Sequence, residues 1–476
     1  MKLLIASLHY APEQTGNAPY VTGLAEELAR RGHSITVLTG FPSYPASHVQ
    51  HPYRGRLRQR ERLNGVDVRR VWHYLPTTQT ALSRGVAEGS FVAAGLSLVA
   101  LPRPDAVVGV SPSLSGAIVA RLAAHYYRVP YGLILQDLMA PAAGQSGVRG
   151  GGLVAGLVRR VERWALGDAA AVGIVAEGFR PYVESLGIDP RRIRRVRNWT
   201  HVSAPAIDRS AARDRLALPQ EAFVCLHAGN MGAKQGLENV LRAARIAARE
   251  EPRLLFTLLG DGNQRSSLER LASGYGLPNL RFLPMQPSGF YPSALAAADV
   301  LLVNQRASVE EMSLPSKLTS YFAVGRPIVG AVKDTSEAAH EIEASGAGVV
   351  VAPEDPRALL VALSALARDG ACSAALGEAG RAWATAMLSR GHAMEQYRQL
   401  IDTIVQAGQR RAGPVDQVAG EEASAGATEP SRGESDGEHK LLVRQVSPRH
   451  GWRRLSRPVR GAGAEETGRE PRLRAA

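Results

Sequence analysis

An apolar strand, a loop carrying glycine and polar residues, and an amphipathic helix recur in that order through the first half of the chain, and the pattern restarts near Phe223. Strands that each return through a helix build a parallel sheet covered by helices, so this alternation limits the fold more than any single motif does. The strand Leu3–Ser7 is followed by a long loop and by the helical stretch Tyr20–Arg31, with Val21, Leu24, Ala25 and Leu28 on one face and Gly32 as its stop. Ser34–Thr39 is the next strand. Arg56–Val71 predicts a hairpin, because Asn64-Gly65 favours a tight turn between alternating arms. Strands Ala106–Val110 and Tyr131–Gln136 flank a helix over Ser115–Tyr127, and a helix over Leu153–Leu166 leads to a strand near Val172–Val175.

The second run places strands at Phe223–His227, Leu254–Leu259, Leu280–Leu283, Val300–Val303 and Pro327–Ala331, with helices over Leu237–Arg249, Gln264–Ala272 and Lys317–Val324. The expected architecture is α/β: two Rossmann-like domains facing across a cleft, residues 1–200 and 201–385, with Asn198–Ala206 as hinge. A helix over 386–408 is expected to pack back on the first domain. Residues 409–476 lose hydrophobic periodicity and read as a disordered tail. With 476 residues, two domains is the natural division.

Charge narrows the partners. The formal net charge is +13, yet aromatic residues make up only 5% and no nucleic-acid-binding signature is present, which leaves anionic membranes and phosphorylated substrates. Only five of the 57 basic residues are lysines, so Lys234 and Lys317, both in loops with Gly or Pro, stand out. Two cysteines, Cys225 and Cys372, make no disulfide framework. Met1–Ser7 is no secretory signal, and Phe91–Leu101 is about half the roughly 20 residues of a spanning helix. A cytoplasmic protein is expected, peripheral on the inner face of the membrane. Three basic segments suggest that contact: the period-two series Arg54, Arg56, Arg58, Arg60, Arg62; Arg159, Arg160 and Arg163 beside an apolar helical stripe; and Lys440–Arg460 with Trp452 and Leu455.

Four loops carry the chemistry. Tyr10–Asn17 contains Gly16 and precedes a helix, but it is not a dinucleotide fingerprint. Ala228–Gly236 joins glycines to Lys234, an anion cradle that lacks the Walker ending. Leu259–Asn263 contains Gly260-Asp261-Gly262. Asn304-Gln305 runs on through Glu310-Glu311 to Ser316-Lys317, where an N-cap serine, free backbone N–H groups and a lysine suit a diphosphate and the carboxylates suit sugar hydroxyls. Each loop taken alone is equally a structural turn.

In this order and spacing, residues 1–405 resemble the family 4 retaining glycosyltransferases of the GT-B fold. Tyr10–Gly16, Leu135-Gln136-Asp137, Gly229–Gly236 and Asn304-Gln305 through Leu314-Pro315-Ser316-Lys317-Leu318 are most similar to the colanic-acid-type fucosyltransferase branch. The resemblance implies an acceptor-side first domain, a donor-binding second domain, a nucleoside-diphosphate sugar as donor substrate, a glycan or lipid-linked acceptor, and no cofactor or metal. It implies catalytic roles for Lys234, Lys317, Glu311 and Asp137. Gly16, Asn17, Asn230, Gly232, Gln235, Gly260, Asp261, Gln286, Asn304 and Ser316 are expected around the donor. The chain departs from the family pattern at the Arg and Lys of the diphosphate clamp, which fall on Asn230 and Gln235, and at the paired glutamates, which fall on Met312 and Ser320. A GT-B-fold epimerase and an inactive sugar-nucleotide-binding homologue therefore stay open at this point.

Overall fold

In the computed structural model, the described residues are 1–13, 16–43, 48–76, 80–97, 101–140, 151–202, 205–309 and 316–412. The first run of strands forms an eight-stranded sheet: β1 (Lys2–Ser7), β2 (Ser34–Gly40), β3 (Arg58–Leu63), β4 (Val66–Val71), β5 (Ala106–Val110), β6 (Tyr131–Leu135), β7 (Ala171–Ile174) and β8 (Ile193–Arg195). Their order is β3-β4-β2-β1-β5-β6-β7-β8. All neighbours are parallel except the β3–β4 hairpin, whose Asn64 and Gly65 take φ of 47° and 87°. Two consecutive left-handed residues match the right-handed twist of the arms. Arg58, Arg60 and Arg62 share the exposed face of β3, whereas Arg54 and Arg56 lie before the strand, so the predicted five-residue basic stripe shrinks to three.

Helices α1 (Ala18–Arg30), α2 (Ala81–Leu96), α3 (Leu114–Tyr127), α4 (Gly151–Gly167) and α5 (Arg180–Ser185) belong to this half. The core splits by face: α2, α3 and α4 cover one side of the sheet and α1 the other. Helix α2 was hidden in the sequence within a stretch legible only as apolar; Thr80 starts it by accepting from the Ser83 N–H at 3.1 Å.

The second sheet comprises β9 (Phe223–Asn230), β10 (Leu254–Asp261), β11 (Leu280–Leu283), β12 (Val300–Asn304), β13 (Ile328–Ala331) and β14 (Gly348–Val351). It is parallel throughout, in the order β11-β10-β9-β12-β13-β14. Around it lie α6 (Arg209–Arg215), α7 (Glu238–Glu250), α8 (Arg265–Tyr275), α9 (Tyr291–Ala296), α10 (Ser316–Val324), α11 (Glu337–Ser345), α12 (Pro356–Arg368) and α13 (Gly370–Met387). Strand order reverses between β1 and β5 in one sheet and between β9 and β12 in the other. Ligands of such sheets bind at the carboxyl ends of the strands flanking that switch point.

Helix α14 (Arg390–Ala412) returns to the first sheet, where Leu400 and Ile404 fill the space left by Gly173 and Gly132. Between the halves, the Glu337 carboxylate accepts the N–H groups of Glu177 at 3.0 Å and Gly178 at 2.8 Å. Arg195 pairs with Glu337 at 2.8 Å and also with Glu341, which Arg197 engages at 2.8 Å. Of the tail expected over 409–476, residues 409–412 instead continue helix α14, and 413–476 fall outside the described residues.

Candidate active site

On the first sheet, the loops after β1, β5 and β6 are tied together at one rim. Asn17 is buried and its Nδ2 donates to the Ser111 carbonyl at 3.4 Å. The Ser111 hydroxyl in turn donates to the Asp137 carbonyl at 3.2 Å. Asn17 thus fastens the switch-point loops to one another, while exposed Gly16, at φ 66°, supplies the turn before α1. In the same loop His9 Nδ1 meets Glu13 Oε2 at 2.8 Å, and Glu13 Oε1 accepts the Ser43 N–H at 2.7 Å. His9 had no signal in the sequence beyond its place after β1, and Glu13 lay within the Tyr10–Gly16 segment without being assigned a task. Glu162 of α4 accepts the Met139 N–H at 2.9 Å and so supports the Asp137 loop. Burial pushes the Asp137 carboxyl up to about 7, and the charge of Lys234 opposes that shift. Asp137 and Lys234, from different halves of the chain, therefore sense each other.

On the second sheet, β9 runs into Gly229–Gly236. Gly229 (φ 117°) and Gly260 (φ 136°) lie side by side on β9 and β10, and a Cβ on Gly260 would stand 2.0 Å from the Gly229 carbonyl oxygen. Only glycine permits that approach. Asp261 pairs in register with Asn230; both are exposed at the strand ends, and Asp261 Oδ1 accepts the Gly262 N–H at 2.7 Å. Gly232 opens a short turn whose N–H donates to Gln235 Oε1 at 3.0 Å. Lys234 is exposed on that turn.

Two expectations change here. Asn304, at the end of β12, is 1% exposed. Its amide donates to the carbonyls of Gln235 at 2.7 Å and Gly236 at 3.0 Å, and its oxygen accepts from Asn239 at 3.1 Å. A buried amide with all these bonds made holds the loop and has nothing left for a ligand, so Asn304 is a support, as is the oxygen of Gln235. Gln286 follows β11, the edge strand two removed from β9, and donates to the Pro284 carbonyl at 2.9 Å; it stands away from the switch point. Arg306, which the sequence analysis passed over, bonds the Ala233 carbonyl at 2.7 Å and Glu238 at 2.9 Å, locking the same turn.

Helix α10 begins at Ser316, whose side chain lies outside the described residues, as does Glu311 entirely. Lys317 reaches from α10 to the end of β9: a Cβ on Gly229 would stand 3.9 Å from its Nζ. Burial pushes its ammonium down to about 7. Its Nζ lies 3.2 Å from Nε2 of His227, a residue with no place among the sequence candidates. Polar side chains inside an apolar strand are the signal that would have found it. Among the described residues, no group of three or more His, Cys, Asp or Glu side chains gathers as a metal site.

Two Rossmann-like sheets in one chain, with the signature loops of both at their switch points, define a glycosyltransferase of the GT-B fold. Residues 15–199 match the Glycosyl transferase 4-like domain and residues 208–383 match Glycosyl transferases group 1. The chain belongs to glycosyltransferase family 4. It is 34% identical over 376 residues to WcaI of Escherichia coli K12, described as a colanic acid biosynthesis glycosyl transferase, covering 76% of this chain and 91% of that one. Among solved structures, sucrose-phosphate synthase from Thermosynechococcus elongatus superposes with a TM-score of 0.65 at 19% identity, over 85% of this chain and 99% of its own. HepE from Anabaena, in complex with UDP-glucose, superposes with a TM-score of 0.61 at 16% identity, over 85% of this chain and 100% of its own. These likenesses fix the fold.

Proposed function

We propose that this protein transfers a hexose or deoxyhexose from a nucleoside-diphosphate sugar, with retained configuration, to a lipid-linked precursor of a polysaccharide or glycoconjugate. The observation that carries this reading is Lys317, whose ammonium lies beside Gly229 at the end of β9 with no carboxylate paired to it among the described residues. A lysine held at a switch point is suited to a diphosphate, and charge developing on the leaving phosphate is what the transition state most needs stabilised. Lys317 and Lys234 are assigned that role, with the backbone at the start of α10 donating beside them. Asp137, across from Lys234, is assigned to orienting the acceptor. The leaving phosphate takes the acceptor's proton in this scheme, so neither an enzymic base nor a metal is required.

The kinship with WcaI supports a polysaccharide pathway, and the UDP-glucose bound by HepE supports a nucleotide-sugar donor. In this reading the protein works in the cytoplasm, at the inner face of the membrane where a lipid-linked acceptor would be met. A thermal-shift panel of UDP-, GDP- and dTDP-sugars tests the donor reading: at one hundred times Kd a true donor stabilises the fold by about 2.7 kcal/mol. Failure of all three classes to raise the melting temperature removes it.

A further inference from the structure

We infer that His227 is a positioning residue of the phosphate site: as a neutral imidazole it accepts a hydrogen bond from Lys317 and holds that ammonium at the end of β9. The inference rests on the donor reading proposed above. His227 is 0% exposed in the middle of β9, and its Nε2 lies 3.2 Å from Lys317 Nζ. Below its own pKa of about 7 the lysine is an ammonium with only protons to give, so there Nε2 is the acceptor and the ring proton sits on Nδ1. Nδ1 is buried without a directed partner, and the backbone at Asn230 and Leu302 acts against the downward shift that burial imposes. Burial first, and the Lys317 charge second, hold the imidazole neutral well below its usual range. The remaining titratable neighbour on α10 is Tyr321, whose hydroxyl accepts the Ala228 N–H at 2.8 Å and so lies on the same strand end.

This arrangement answers the departure seen in the sequence. The positions where the family carries its Arg and Lys clamp hold Asn230, exposed, and Gln235, whose oxygen is spent on Gly232. A cation enters the site from a different loop, and a long lysine stem from α10 needs a fixed acceptor to keep its head beside Gly229. A neutral imidazole serves where a carboxylate would cancel the charge that the diphosphate is to meet.

Calorimetric titration of the full chain with UDP, GDP and dTDP tests this. His227→Phe keeps the ring and removes the acceptor; affinity for the nucleotide that binds falls roughly tenfold, the scale of one hydrogen bond to a charged group. His227→Gln, which restores an acceptor at similar reach, recovers most of it. In a Lys317→Met background His227→Phe has no further effect. Unchanged affinity in a folded His227→Phe protein, or losses that simply add in the double variant, overturns the inference. Should His227→Phe fail to fold, nitrogen NMR of the unaltered protein decides: an unprotonated Nε2 is expected, and a protonated one overturns it. If none of the three nucleotides binds the unaltered protein, the donor reading fails, whereas the state of Nε2 still judges the pairing.

Discussion

Asp137 and Lys234 come from different halves of the chain, and the charge of one bears on the proton of the other. Because burial raises the Asp137 carboxyl to about 7, the native state holds a proton that the unfolded chain releases near its ordinary value of 3.8. The native state thus binds more protons between those limits, and stability falls as pH rises through the window. Asp137→Asn is expected to flatten that slope in melting temperature between pH 4 and 7, values bracketed by the two limits. Lys234→Ala, which removes the opposing attraction, is expected to extend the slope to higher pH. An unchanged slope in Asp137→Asn would show that another group causes it. Lys234, Lys317 and Asp137, the residues on which the proposed chemistry rests, draw notice in the sequence because lysine is scarce in this chain and because each follows or precedes an apolar strand or a glycine turn. His227 is marked only as a polar residue inside an apolar strand; nothing in that strand's sequence says which side chain from a helix ninety residues on will meet it. Asn304 was found for its position but given the wrong task, since only the three-dimensional count of its hydrogen bonds shows that its amide is used up.

Elements are held in place by buried polar and small residues as much as by the apolar periodicity that predicted them. Arg213 of α6 is fully buried and donates to the carbonyls of Ala297 at 2.9 Å and Gln220 at 2.6 Å, and to Asp299 Oδ2 at 2.6 Å. The same carboxylate oxygen accepts the Val224 N–H at 2.7 Å, tying α6 to the start of β9. Asp299→Ala leaves a buried guanidinium uncompensated and is expected to cost about 3–5 kcal/mol in denaturant unfolding; a loss within 1 kcal/mol, the scale of an exposed pair, would mean that water replaces the carboxylate. Helix α14 depends on glycines in β6 and β7: a Cβ on Gly132 would come within 2.2 Å of Ile404 Cδ1. Gly132→Val is therefore expected to destabilise by about 1–3 kcal/mol through overpacking, and Ile404→Ala to relieve part of that in the double variant. Most strand positions were read from alternation and apolar runs; the short strands β8 and β14 were not among those expected. The returning helix was read slightly early, because helix ends depend on caps and contacts that periodicity does not carry.

At the scale of the molecule, the two faces of the first sheet differ. Leu82 and Val86 on α2, Tyr126 on α3, and Leu157 and Trp164 on α4 are exposed, whereas α1 and α14 on the opposite face expose no large apolar side chain among the described residues. Arg159, Arg160 and Arg163 stand among them, exposed on α4. No single described helix is long and apolar enough to cross a membrane. An apolar face edged with arginines instead suits the headgroup level of an anionic bilayer, where apolar burial and about 1 kcal/mol per basic residue act together. If this face carries the proposed peripheral contact, the full chain sediments with phosphatidylglycerol vesicles and much less with phosphatidylcholine, and added salt weakens the association. The double substitution Leu157→Glu, Trp164→Glu is expected to abolish sedimentation; Leu157 faces water, whereas Trp164 lies under the Arg121 guanidinium at 4.5 Å, so the melting temperature falls modestly while the protein stays folded. Undiminished sedimentation of that variant would move the contact to another basic segment of the chain. An absence of vesicle binding in the unaltered protein would leave the acceptor to be sought among water-soluble glycans, without touching the donor side of the cleft.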